Sequence, residues 1–380
     1  MMKAAKRLDT VQEYYFSKKL REVRALSAQG KPVINMGIGS PDLQPPKHVI
    51  EAIQKAVIKD GAHKYQSYQG LPEFRKAIAN FYKNQYDVEV SSDNEILPLM
   101  GSKEGILHIS MAFLNKGDKV LIPNPGYPTY TSVTNLVEAT PVFYELTSEN
   151  NWEPNFEQLE QEDLANIKMM WVNYPHMPTG AKATLKLFEK LIDFGKKHQI
   201  LIINDNPYSF ILNNNPLSIL SVKGAKKTAL ELNSLSKSFN MAGWRVGMLL
   251  GVSSFLQEIL KVKTQMDSGM FYGIQQGAIA ALKVNSSWFS EMNNVYKNRR
   301  KLVWKIADAL KCSYDKNTTG MFVWAKTPEG VKAESMVDDL LYKKNIFIAP
   351  GFIFGSSGEG YIRFSLCVSE EKIKEALDRL

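Results

Sequence analysis

The sequence predicts an α/β protein, with one large domain on a seven-stranded, mainly parallel sheet sandwiched by helices. A smaller α+β domain is built from both chain termini. Three observations predict it. From about Glu95 onward, short and nearly continuous apolar runs alternate with longer segments of helical period, the pattern of strands covered on both faces by crossover helices. Beyond residue 287 the alternation stops and helices and strands mix without that rhythm. The chain has 380 residues, more than the roughly 250–300 at which one hydrophobic core stops growing.

Taken in order, residues 11–28 read as an amphipathic helix. The apolar runs that follow lie at 95–100, 119–122, 141–145, 169–173, 200–205, 228–235 and 245–251. Residues 287–310 read as a helix, 320–325 as a strand, 333–343 as a helix, 346–348 and 360–365 as strands, and a last helix starts at Ser369. The expected division is 46–286 for the large domain, and 1–45 with 287–380 for the small one. In open α/β sheets ligands sit at the carboxyl ends of the strands, so functional residues are expected just after the runs.

Composition is that of an ordinary globular chain, 44% hydrophobic and 23% charged, with no low-complexity tract. The net charge of +8 comes from scattered Lys and Arg rather than a basic stripe, which argues against a nucleic-acid partner. Cys312 and Cys367 lack the spacing of a disulfide framework or a metal site, so no metal is expected. No apolar stretch spans a membrane or follows the basic N-terminus, and a cytoplasmic location is expected.

The segment 233–247 follows a buried run and holds Lys237 among small polar residues, with Arg245 eight positions on. Such a lysine is either simply solvated or, between apolar walls and other cations, an amine of lowered pKa that forms an imine with an aldehyde. Ser234, Ser236, the neighbouring glycines and the Arg245 guanidinium together suit a phosphate monoester. Asp205 ends an apolar run, where it is either a helix N-cap or the partner of a protonated pyridine nitrogen. Tyr208 is placed to reach the same ring. Gly101, Ser102 and Lys103 open a helical segment, whose N-terminal N–H groups and dipole form a phosphate seat. Tyr127 either packs a turn or stacks on a planar ring. Arg363, inside an apolar strand, needs an anion, either an internal carboxylate or that of a substrate.

These pieces, in order, resemble the class I/II aminotransferases, fold-type I enzymes dependent on pyridoxal 5′-phosphate (PLP). The matching stretches are 37–42, 64–70, 101–105, 125–130, 174–180, 205–208, 233–247 and 362–365, so the resemblance covers nearly the whole chain. It is nearest the branch of LL-diaminopimelate and alanine/aspartate-type enzymes. It implies transfer of an amino group from an L-amino acid to a 2-oxo acid in a ping-pong reaction. Lys237 would hold PLP as a Schiff base and then shuttle the substrate proton. Asp205 would pair with the pyridine nitrogen, Tyr208 and Asn173 would lie beside the ring, and Tyr127 would stack on it. Gly101, Ser102, Lys103, Ser234, Ser236 and Arg245 would seat the phosphate. Arg363 with the backbone near Gly39 would grip the α-carboxylate. Tyr65 would reach the phosphate of a neighbouring subunit, which implies a homodimer with shared sites.

One position departs from the pattern: Met177 stands where the family usually has an asparagine that bonds the ring 3′-oxygen. A thioether is a poor substitute, so the Schiff base is expected to titrate higher unless His176 or Asn173 takes over. Two rival functions share these residues: a PLP-dependent C–S β-lyase and a non-catalytic PLP-binding regulator.

Overall fold

The computed structural model describes residues 2–11 and 13–380. Its strands are β1 (Ile34–Asn35), β2 (Ile96–Leu99), β3 (Lys119–Asn124), β4 (Thr140–Glu145), β5 (Ile167–Val172), β6 (Leu201–Asp205) and β7 (Ala229–Ser234), followed by β8 (Gly247–Leu250), β9 (Ser313–Tyr314), β10 (Phe322–Lys326), β11 (Ile346–Phe347), β12 (Ala349–Pro350) and β13 (Tyr361–Ser365).

Strands β2 to β8 form one seven-stranded sheet in the order β2-β8-β7-β6-β5-β3-β4. From β4 to β7 every neighbouring pair is parallel, and β8 runs antiparallel to both β7 and β2. Alternate residues serve opposite faces. Met170 and Val172 of β5 join one apolar cluster while Met169 and Trp171 join the other, so helices cover both sides. Within this sheet Glu231 of β7 is fully buried and accepts from Tyr82 Oη and Ile219 N, each at 2.9 Å, which satisfies a carboxylate that would otherwise be costly there.

The runs read from sequence correspond to these seven strands. The C-terminal part holds the four-stranded antiparallel sheet β12-β13-β10-β9. The two-residue strands β1, β9 and β12 were too short to leave a sequence signal. Strand β1 pairs in parallel with β11, Ile34 opposite Ile346, which ties the N-terminal stretch to the C-terminal one. The N-terminal helix spans Tyr15–Ala28, shorter than the expected 11–28, because Tyr14 is extended and no side chain caps the start. The last helix, Glu370–Asp378, is capped by the Ser369 side chain on Lys372 N–H.

Strand direction decides what meets at the sheet's carboxyl edge. Because β8 is antiparallel to both neighbours, β2 runs with β7, and the ends of β2, β3, β5, β6 and β7 share one edge with the start of β8. Gly101, Tyr127, Asn173, Asp205, Ser234 and Arg245 follow or precede those strand ends. Among the described residues no helix is long and apolar enough to cross a membrane.

Candidate active site

Two adjoining cavities open at this edge. One, of about 200 Å³, is lined by Ser102, Lys103, Tyr127, Tyr130, Asn173, Met177, Asp205, Pro207, Tyr208, Ser234, Ser236, Lys237, Ala242 and Arg245. The other, of about 300 Å³, shares Lys103, Tyr127, Met177, Tyr208 and Lys237 and adds Gly39, Arg363 and a set of apolar side chains. Lys237 stands between them.

The first cavity is built from the sheet inward. Helix Ser102–Phe113 starts directly after Gly101, which takes φ 89°. A Cβ at Gly101 would lie 2.2 Å from Arg245 Nη2, so only glycine lets the guanidinium cross the helix entry. The first N–H groups of the helix, the buried Ser234 and Ser236 hydroxyls and Arg245 thus share one end of the cavity. Arg245 itself is solvent-exposed and donates to the Ala242 carbonyl at 2.9 Å.

Asp205 lies elsewhere on the same cavity and is buried. Its Oδ2 accepts from Tyr130 Oη at 2.9 Å, and its Oδ1 has no partner. Burial raises the carboxyl pKa to about 7, against the lowering effect of Tyr130 and of Lys237. No helix begins at Asp205, so it is not an N-cap. Tyr130 stacks on Trp171 with ring centres 4.9 Å apart, which fixes its hydroxyl toward the acid. Tyr130 carries no role in the sequence reading; its place three residues after Tyr127, in the first turn of helix Thr129–Leu136, was the available signal.

Lys237 donates to the Gly39 carbonyl. The residue keeps some exposure, yet its amine lies deep enough that desolvation lowers its pKa. Arg363 and Arg245 add to the lowering, while Cys367 and Asp205 oppose it. Burial raises the pKa of Tyr208, which Arg363 partly offsets.

Arg363 is buried without an acid partner. Nη2 donates to Gly37 O at 2.7 Å, Nη1 contacts Met177 Sδ at 3.3 Å, and Nε has no partner. Desolvation pulls its pKa down to about 10. Of the two anions left open for it, the internal carboxylate is therefore not present, and the carbonyl the guanidinium touches belongs to Gly37 rather than Gly39. Gly39 meets Lys237 instead, and a Cβ there would lie 2.4 Å from the Phe322 ring.

Other expected residues fall differently. The Lys103 side chain is exposed, its ammonium 5.1 Å from the centre of the Tyr14 ring, and it borders both cavities. Asn173 donates to the Asp205 carbonyl and accepts from Met177 N–H at 2.9 Å. His176 Nδ1 bonds Thr179 and does not line either cavity. Tyr65 lies outside both cavities and is 90% exposed. Elsewhere, Glu104, His108 and Asp267 approach one another within 4.8 Å. Asp267, however, is held by the Lys263 ammonium at 2.8 and 2.9 Å.

The residues present suit PLP: an unpartnered buried carboxylate oxygen, an amine of lowered pKa, and a glycine-lined helix entry crossed by a guanidinium. The family described as aminotransferase class I and II matches residues 31–380. The chain belongs to that family, and it is a PLP-dependent aminotransferase that moves the amino group of an L-amino acid to a 2-oxo acid. It is 40% identical to an LL-diaminopimelate aminotransferase of Maridesulfovibrio salexigens and 38% identical to one of Aquifex aeolicus, in each case over 100% of this chain and at least 98% of the relative. Among solved structures, substrate-bound BacF of Bacillus subtilis superposes with a TM-score of 0.95 at 32% identity, covering 100% of this chain and 97% of that one. The lyase and regulator alternatives find no support in these relatives.

Proposed function

We propose that the cavity holding Asp205 and Arg245 takes PLP, that the cavity holding Arg363 takes the amino acid, and that Lys237 serves both. When bound, PLP supplies an aldehyde for the lysine amine and a cationic ring that withdraws electrons from the substrate Cα. The observation that carries this assignment is the unpartnered Asp205 Oδ1, buried on the same cavity wall as the Lys237 amine.

Lys237 Nζ, its pKa lowered, has the neutral fraction needed to attack a carbonyl and then to carry the Cα proton. Asp205 would hold the ring nitrogen, Tyr208 the ring oxygen, and Tyr127 the ring face, while Asn173 positions Asp205 by donating to its backbone carbonyl. Ser102, Lys103, Ser234, Ser236 and Arg245, with the N–H groups after Gly101, hold the phosphate. Arg363 offers free donor capacity to the α-carboxylate, with the backbone near Gly39 beside it.

We further infer a homodimer in which Tyr65 completes the neighbouring site. In support, Tyr65, Tyr68, Met266 and Phe271 are exposed apolar residues on two adjoining loops, the backbone of Gly269 packing against that of Gln66. The domain boundaries at 46 and 286 flank helices Lys47–Val57 and Ser286–Ala309. The cysteines are both unpaired and buried, which suits a cytoplasmic location.

The test is the absorption spectrum of the PLP-loaded protein as single L-amino acids are added without oxo acid. Loss of the cofactor band with stoichiometric oxo acid formed is expected; release of ammonia would overturn it. Lys237→Ala is expected to lose activity by roughly 10²–10⁴-fold or more.

A further inference from the structure

We infer that the substrate cavity is built for an amino acid with an uncharged, apolar side chain, aromatic or long aliphatic, and discriminates against a side chain ending in an ammonium group. The inference rests on the aminotransferase reading and names the substrate class of that same site.

Apart from the groups already assigned, the 300 Å³ cavity is walled mainly by Phe16, Leu20, Ile38, Pro128, Phe322 and Phe354, and its added polar side chains are Ser17 and Tyr14, whose hydroxyl is bonded to Thr129 Oγ1 at 3.2 Å. The rings of Phe322 and Phe354 lie 4.0 and 4.6 Å from the Arg363 guanidinium carbon, so the carboxylate anchor is itself flanked by aromatic faces. Among the described residues, no Asp or Glu lines this cavity. The acids on adjoining segments are committed: Glu13 bonds Arg21 at 2.9 Å, and Asp42 bonds Arg299 at 2.6 and 2.8 Å. The one further cation on the cavity wall, Lys103, repels an ammonium.

The loops proposed to reach the neighbouring site add no unpaired acid. The loop 64–70, proposed above to reach the neighbouring site, contains no acid. In the stretch 267–272 the single acid, Asp267, has both oxygens on Lys263 and one also on Gly269 N–H at 2.7 Å. A distal ammonium would leave water with no carboxylate to receive it, whereas an apolar side chain gains from the same walls. LL-diaminopimelate, for which the relatives are named, carries at its far end such an ammonium together with a second carboxylate. On these walls the chain differs in substrate class from what those names print.

The experiment titrates the PLP-loaded enzyme with single L-amino acids and compares second-order rate constants for the spectral change. Phenylalanine, leucine and methionine are expected to exceed LL-diaminopimelate and lysine by about tenfold or more. A rate constant for either diamino acid equal to or above that of all three apolar substrates overturns the substrate class and leaves the aminotransferase intact. No spectral response to any amino acid overturns both.

Discussion

By the family resemblance Met177 stands where an asparagine is usual, and here it offers a thioether turned to Arg363. His176 lies off the cavities, and the Asn173 amide, whose oxygen accepts from Met177 N–H, already gives one of its two N–H donors to the Asp205 carbonyl. An amide donor to the ring 3′-oxygen favours the state in which that oxygen carries most charge, the one with the lysine imine deprotonated. Met177→Asn is therefore expected to lower the imine pKa, read as a shift in the pH titration of the absorption band; an unchanged midpoint would reject it. Asp205 gives a second prediction, for the cofactor-free protein. Its pKa, about 7 against an ordinary 3.8, means that the native state holds the proton more tightly than the unfolded chain. The stability it contributes is complete below about pH 3.8 and is lost as pH rises through 7, with roughly 4 kcal/mol as an upper bound. Melting temperatures of the cofactor-free protein should fall between pH 4 and 8. Asp205→Asn should flatten that fall and disable the reaction. What the sequence showed at this scale was residue type after a strand end; that Arg363 would rest on Gly37 and a thioether depended on packing between distant segments.

The helix Ser102–Phe113 draws its anion-binding end from a single conformation at Gly101. Gly101→Ala would place a methyl group on Arg245 and demand a left-handed backbone from alanine. PLP affinity is expected to fall by about tenfold or more, measured by equilibrium titration, while the far-UV spectrum of the protein stays the same. Helix Ser253–Lys263 is anchored differently, by the buried pair Lys263–Asp267, whose side chains are 2% and 4% exposed. Removing one partner strands a buried charge, so Asp267→Ala is expected to cost about 3–5 kcal/mol in chemical denaturation. The long elements were legible because burial on both faces writes continuous apolar runs into the chain. Strands β1, β9 and β12 and the late start of helix Tyr15–Ala28 were not, since tertiary contacts rather than local pattern set them.

For the whole molecule, the proposed dimer has a direct assay. Lys237→Ala and Tyr65→Ala, each impaired alone, are expected to regain activity when mixed under exchange, because one hybrid site then holds an intact lysine and an intact tyrosine. No recovery in verified hybrids would place Tyr65 outside the chemistry. The sequence indicated a second domain from both termini, but not how those termini are fastened together.

That fastening, Ile34 beside Ile346 in β1 and β11, also orders events during synthesis. Apart from Tyr65 of the neighbouring subunit, the residues proposed for the cofactor lie between Gly101 and Arg245, so this half of the site can assemble once the central sheet has left the ribosome. The amino-acid half needs Phe16 and Gly39 from the start of the chain and Phe354 and Arg363 from its end. A nascent chain halted near residue 286 is thus expected to be able to capture PLP before it can discriminate among amino acids, making selectivity the last property the growing polypeptide acquires.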